Sequence, residues 1–285
     1  MNEGRHVSRQ ARAVTIAVLL TMACVGARVG DGANPPAHTL NPQWSGYVVT
    51  GKHVSYTTVS GTWTEPGMNC TAGDPRALSA AWVGLGGLTT KELEQVGVDA
   101  NCDAKGHATY FAWFEILPDV AHNIPNAIHA GDVITGSVKR IGLALVELRV
   151  QNHTRHWTFD RKITWGTADV SSAEWIVEAP FSCKRFTCQT SHLANFGTLR
   201  FHHVTAIGNG HAGGLSDPAW TTTQIDLAPC IRTKASPRAG ATPTAASSDG
   251  TIFEVAWVRD AGRPSPCRGL AGPLTVGVVP DYTSP

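Results

Sequence analysis

From residue 40 onward the chain is a succession of short β-type runs cut by turn residues, and this limits the fold more than any other feature. WSGYVVTG from Trp44, VSYTTVSGTWTEP from Val54, LSAAWVGLGG from Leu78, ATYFAWFEILP from Ala108 and DVITGSVKRI from Asp132 open the series. LALVELRVQN, RHWTFDRKITW, AEWIVEAP, TLRFHHVTAI, TIFEVAWVR and LTVGVVP continue it. Each is rich in β-branched and aromatic residues and is bounded by Gly, Pro, Asn or Asp, the signature of strands between turns. No segment sustains an apolar stripe at helical spacing; Asp217 to Pro229 comes nearest. The pattern specifies an all-β, antiparallel sandwich or barrel.

The chain has 285 residues, of which 42% are hydrophobic, enough for one large all-β core. Lys and Arg together number 23 against 22 Asp and Glu, a formal net charge of +1. So balanced a chain offers no electrostatic footprint for nucleic acid or for an anionic membrane. Residues 1–27 carry Arg5, Arg9 and Arg12 before an apolar run from Ala13 to Ala27, the layout of a secretory signal with Val25 and Ala27 flanking the expected cleavage point. The run is shorter than the roughly 18 apolar residues a membrane span needs. Residues 28–43 then read as a short flexible N-terminal or pro-segment, and 44–285 as a single domain. Within that domain 233–250, rich in Ala, Ser, Thr, Pro and Gly, reads as a solvated loop.

Removing the signal takes Cys24 with it and leaves Cys70, Cys102, Cys183, Cys188, Cys230 and Cys267. An even count in an exported chain favours disulfides, though six cysteines allow many pairings. Cys183 and Cys188 bracket a short local loop, Cys230 and Cys267 bracket the low-complexity segment, and Cys70 with Cys102 follows by elimination. No cysteine or histidine grouping has the spacing of a zinc site, and no metal or other cofactor is expected.

Carboxylates are the chemically interesting residues. In AEWIVEAP side chains alternate between faces, so Glu174, Ile176 and Glu178 share one and Trp175, Val177 and Ala179 the other. In YFAWFEILP, Glu115 shares a face with Phe111, Trp113 and Leu117, while Tyr110, Ala112, Phe114 and Ile116 share the opposite one. An acid in such surroundings is costly to bury ionised, so its pKa rises unless donors surround it. That is the condition for general acid and base chemistry, and a hydrogen-bonded structural acid leaves the same trace. Common nucleophile, zinc-protease and phosphate-loop motifs do not occur.

Eight blocks in order, WSGYV, VSGTWTEP, AWVGLGG, LEQVGVD, YFAWFEILP, GDVI, AEWIVEAP and LANFGTLRF, resemble the glutamic peptidases, or eqolisins, over about Trp44 to Phe201. The resemblance implies a β-sandwich of two large curved sheets, concanavalin-like or jelly-roll in type, with a substrate groove on one face. It implies a catalytic pair: Glu178, second acid of AEWIVE, as general base and acid, and Gln95 of LEQVGVD as oxyanion stabiliser. A neutral amide donates hydrogen bonds to a developing oxyanion without first being protonated. Trp82, Glu115, Tyr110 and Trp113 are implied as groove or supporting residues, and Glu174 as a structural acid, hydrogen-bonded or facing water. Such an enzyme is a secreted, pepstatin-insensitive acid endopeptidase acting on polypeptides, monomeric and cofactor-free.

The sequence departs from the fungal pattern where Gly86 and Phe111 replace acids. A thinner acidic web should raise the pKa of Glu178 less. The near-neutral charge balance points to an optimum less far into acid, and the short stretch before the fold speaks against a propeptide. Two further readings use the same groove: a glycoside hydrolase with Glu115 and Glu178 as its carboxylate pair, and a noncatalytic binding module.

Overall fold

The computed structural model describes residues 36–70, 77–164, 166–184, 187–228, 239–259 and 278–279. Every regular element among them is a β-strand. One run of hydrogen-bonded strands reads Ala37–Asn41, Thr221–Leu227, Trp44–Thr50, Ser172–Glu178, Ala77–Gly86, Leu93–Cys102, Ala108–Ile116 and His122–Ala127. A second reads Trp157–Thr164, Leu145–Asn152, Val133–Arg140, Tyr56–Thr64, Thr198–Gly208, Phe253–Val258 and Gly240–Pro243. All these neighbours are antiparallel except Ala37–Asn41, which runs parallel to Thr221–Leu227. The runs join where Leu227 pairs with Ala241, so hydrogen bonding counts them, with two short strands, as one 17-stranded network.

The runs pack against each other through a continuous apolar core that includes Val83, Val96, Val98, Phe114, Trp175 and Val177 from the first and Trp63, Val138, Leu148 and Phe201 from the second. Trp175 spans the layers, its indole N–H donating to the Ser60 carbonyl oxygen at 2.8 Å. A Cβ on Gly61 would lie 2.8 Å from Cδ1 of that indole, so glycine is what permits so close an approach.

The all-β expectation is met, with three local differences. The chain already forms a strand at Ala37–Asn41, ahead of the expected start at Trp44, because the backbone groups of Thr221–Leu227 offer a parallel edge. Thr221–Leu227, inside the segment closest to a helical reading, is a strand; three consecutive threonines and Ile225 favour a pleated backbone over a helix. Gly240–Pro243, expected as part of a solvated loop, pairs with Phe253–Val258 and, at Ala241, with Leu227, small residues being no obstacle to a short strand. The rest of the low-complexity loop from 233 to 238 lies outside the described residues, as do residues 1–35.

Cys70 and Cys102 are joined by a disulfide, tying the chain after Tyr56–Thr64 to the end of Leu93–Cys102. Cys183 and Cys188 occupy opposite positions in the hairpin of Phe181–Lys184 and Thr187–Thr190. Their side chains, and the whole of Cys230 and Cys267, fall outside the described residues.

Candidate active site

Five central strands carry the site: Trp44–Thr50, Ser172–Glu178, Ala77–Gly86, Leu93–Cys102 and Ala108–Ile116. One face of each meets the second run of strands. The other face holds its own buried apolar group, including Trp44, Trp82, Leu93, Trp113, Leu117 and Ile176. Period two places Gln95, Asp99, Glu115, Glu174 and Glu178 on this second face.

Register arranges the residues in rows across the strands. Glu178 lies between Trp44 and Ala80, Ala80 opposes Asp99, and Asp99 opposes Phe111. In the next row Ile176, Trp82, Gly97 and Trp113 follow one another. In the third, Glu174 opposes Gly84, Gly84 opposes Gln95, and Gln95 opposes Glu115. Gly97 is what lets two tryptophans flank the middle row. A Cβ there would stand 2.6 Å from the Ala81 carbonyl oxygen, 2.7 Å from Trp82 Cβ and 2.9 Å from Trp113 Cζ2.

Glu178 is buried and accepts a 2.8 Å hydrogen bond from Trp82 Nε1. Burial raises its pKa to about 8; the Trp82 and Trp44 indole donors oppose that rise and the Asp99 carboxylate adds to it. Trp44 and Trp82 meet edge to face at 5.1 Å, closing an indole cage around the carboxyl group. Glu115 is likewise pushed up to about 8, by burial first and then by the charge on Glu178, against a lowering contribution from Gln95. Asp99 rises to about 7 through burial; the Trp113 indole lowers it, although Trp113 Nε1 makes no hydrogen bond of good geometry. Gln95 and Glu115 touch at 2.5 Å through Gln95 Nε2 and Glu115 Oε2, while Oε1 of each is buried with no partner.

Glu178, Gln95, Glu115, Trp82 and Trp113 thus come together on one buried face. Tyr110 does not. It lies on the opposite face of its strand, packs against the core between the runs, and accepts a hydrogen bond from the Met68 amide, as strand alternation requires. Glu174 also departs from expectation. It is fully buried, neither wet nor hydrogen-bonded in good geometry, and desolvation holds its pKa well above the usual range, opposed by the nearby Ser172 hydroxyl and reinforced by Asp169 and Glu94. Nor does the loss of acids at Gly86 and Phe111 leave Glu178 little shifted, because desolvation rather than neighbouring charge is the main cause.

Gly86 itself adopts φ +81°, and a Cβ there would strike Asp169 at 2.5 Å. The Asp169 carboxylate fills this space and ties down the following loop by accepting from Gly87 N at 3.2 Å and Thr90 Oγ1 at 2.6 Å. Sequence reasoning missed Asp99 and Trp44 as members of the site. Asp99 stood in the LEQVGVD block on the same face as Gln95, four residues on, and Trp44 opened the WSGYV block. Among the described residues no cluster of three or more His, Cys, Asp or Glu side chains is arranged to hold a metal ion.

An all-β fold whose second buried face gathers carboxylates, an amide and indole donors has a counterpart among known hydrolases. The sequence profile of the peptidase A4 family matches residues 42–244, and the chain belongs to that family. It is a glutamic endopeptidase of the eqolisin kind. Aspergillopepsin-2 of Aspergillus niger is 29% identical over 197 residues, covering 61% of this chain and 67% of the relative. Scytalidopepsin B of Scytalidium lignicola is 27% identical over 202 residues, covering 68% and 74%. In fold the chain is similar to scytalido-glutamic peptidase solved with a peptide-based transition state analog, at a TM-score of 0.60 and 24% identity, covering 77% of this chain and 100% of that one. The aspergilloglutamic peptidase of Aspergillus niger is similar at a TM-score of 0.50 and 25% identity, covering 64% and 99%. Family membership supports a peptidase function over the glycoside hydrolase and the noncatalytic module.

Proposed function

We propose that the chain is a secreted, acid-active endopeptidase in which Glu178 activates the attacking water and Gln95 stabilises the oxyanion. The two runs of strands are read as curved sheets of a jelly-roll sandwich, with the Glu178 and Gln95 face flooring the substrate groove. The observation that carries the reading is the placement of these two residues on one buried face with Trp82 between their rows, its N–H fixed on Glu178.

As base, Glu178 takes a proton from water while the oxygen attacks the scissile carbonyl carbon; as acid, it returns that proton to the leaving amine. The indole donor orients the carboxylate and favours its ionised form, while burial raises its proton affinity enough to make it a useful base. Because burial raises the pKa of Glu178, it gains charge only as pH climbs, and the optimum lies less far into acid than an unperturbed carboxylate would set it. Trp113 and Trp82 supply apolar walls for substrate side chains. Export after removal of residues 1–27, a monomeric state and independence of any cofactor complete the reading. The Cys70 to Cys102 disulfide supports an oxidising compartment.

The test is cleavage of an unfolded protein between pH 2 and 7 by the wild-type chain, Glu178→Gln and Gln95→Ala, with pepstatin and a chelator as controls. Loss of activity in both variants, with neither additive inhibiting the wild type, is the expected result. Full activity in Glu178→Gln, or inhibition by pepstatin, overturns it.

A further inference from the structure

The contact between Gln95 and Glu115 is shorter than an amide N–H donor makes. N–H···O bonds span about 2.7–3.2 Å, whereas O–H···O bonds begin at about 2.5 Å, and these two heavy atoms stand 2.5 Å apart. The two ends of a glutamine amide have nearly the same shape, so which end is oxygen follows from the hydrogen-bond network. An oxygen–oxygen pair with the hydrogen on Glu115 satisfies the distance. Partner counting agrees. Glu115 is 1% exposed and its second oxygen has no partner, an expensive state for a carboxylate with one neutral donor and an inexpensive one for a carboxylic acid. The titratable groups facing it are Glu178 from Ser172–Glu178, Asp99 from Leu93–Cys102 and Asp119 from the turn after its own strand, all of them acids.

We propose that Glu115 is a positioning residue that works as a neutral carboxylic acid: it donates its proton to the Gln95 carbonyl oxygen and so turns both amide hydrogens toward the substrate carbonyl. The amide nitrogen then occupies the buried position where the amide end has no protein partner, ready for a developing oxyanion. Ionised Glu115 can only accept. It draws the amide nitrogen back and presents the Gln95 oxygen to the substrate, which repels an oxyanion.

The two carboxyls near the site therefore divide one charge. Glu178, held by the Trp82 donor, is the one stabilised as an anion, and Glu115 keeps its proton. Burial and the charge on an ionised Glu178 both raise the proton affinity of Glu115, whereas the Trp82 donor lowers that of Glu178. The acid limb of the activity profile then belongs to Glu178 and the alkaline limb to Glu115.

This inference rests on Gln95 acting at the oxyanion, and its test separates the two. kcat and KM are measured across pH for the wild type, Glu115→Gln and Glu115→Met, with near-ultraviolet circular dichroism at each pH to confirm folding. Glu115→Gln retains a donor that does not titrate. It should keep kcat within about 10-fold and move the alkaline limb up by at least about one pH unit, since removing the charge of Glu115 can only lower the acid limb. Glu115→Met, without a donor, should lose about 100-fold in kcat with little change in KM.

Independently of activity, the infrared difference between wild type and either variant should contain the carbonyl stretch of a protonated carboxylic acid at weakly acidic pH. If the wild type cleaves nothing, the proposed function falls and the infrared band alone decides the state of Glu115. An ionised Glu115 in that spectrum overturns the inference. So does a Glu115→Gln variant with the wild-type alkaline limb, or one as impaired as Glu115→Met.

Discussion

Strands Val133–Arg140 and Leu145–Asn152 alternate between buried and more exposed positions, whereas Ala77–Gly86 and Ser172–Glu178 are buried at every residue. The first pair presents one face to the core and one toward water, the ordinary condition of an antiparallel sheet. Charged residues there, such as Lys162 and Glu147 across the neighbouring strand pair, form partly exposed ion pairs. In the second pair both faces are dry, and the acids on the second face have no water to stabilise their charge. The same residue type, a strand glutamate, is a partly solvated group in one region and a buried acid with a raised pKa in the other. What separates them is a second layer of packing by Trp44, Trp113 and Leu117 around the site.

The comparison breaks most visibly with pH. Glu65, Glu94, Glu115 and Glu178 all have folded pKa values near 8 and Asp99 about 7, against usual values of 4.5 and 3.8. Because these values are raised, the unfolded chain gives up its protons first. Their contribution is therefore fully present below about pH 4 and is lost as pH rises through the 4 to 8 window. Each unit of difference corresponds to about 1.4 kcal/mol per group, so thermal melting temperature should fall steadily across that window. A melting temperature constant from pH 4 to 8 would show that these acids are wetter than their burial implies.

Next in size, Glu178→Gln should lower kcat by about 1,000-fold or more, near 4 kcal/mol by the usual conversion, while circular dichroism stays native. Glu147→Gln, on the wetter strands, should leave kcat unchanged, and this contrast is what the assay reads.

Gly97→Ala forces a Cβ against the Ala81 carbonyl and both tryptophans. Overpacking of this kind costs about 1–3 kcal/mol, visible as a lower urea midpoint, and it should disturb activity by displacing Trp82. Wild-type stability in this variant would mean that the middle row has slack.

The smallest effect belongs to Lys162→Ala. Its ion pair with Glu147 at 3.5 Å is mostly solvent-exposed on the lysine side, and such pairs contribute about 0–1 kcal/mol. A urea midpoint shift within error is expected, and a large one would put this strand in the same class as the central ones.

Alternation and turn residues made most strands legible, including the two faces of Ala108–Ile116, which the structure reproduces residue by residue. The same rule, fully applied, would have kept Tyr110 out of the site. Ala37–Asn41 and Gly240–Pro243 were not legible, because such short strands are recruited by the backbone groups of distant neighbours rather than by their own side chains. Glu178 and Gln95 were found through a resemblance in block order, since an acid among aromatics and a glutamine in a strand each have ordinary structural explanations. Asp99 and Trp44 went unseen for a related reason: their importance depends on which strands become neighbours.

By itself, then, the sequence determined an all-β chain, the face each central side chain takes, and a pairing of Cys70 with Cys102 among the possibilities. The first two are consequences of local period and composition, and the third of elimination among the cysteines. Only the tertiary structure decided that Glu174, four residues from Glu178 on the same face, would be buried without a partner, that Asp169 would fill the space beside Gly86, and that Glu115 would meet Gln95. Register between distant strands sets those contacts, and desolvation, which shifts every carboxyl pKa in the site, arises only when a second layer closes over them.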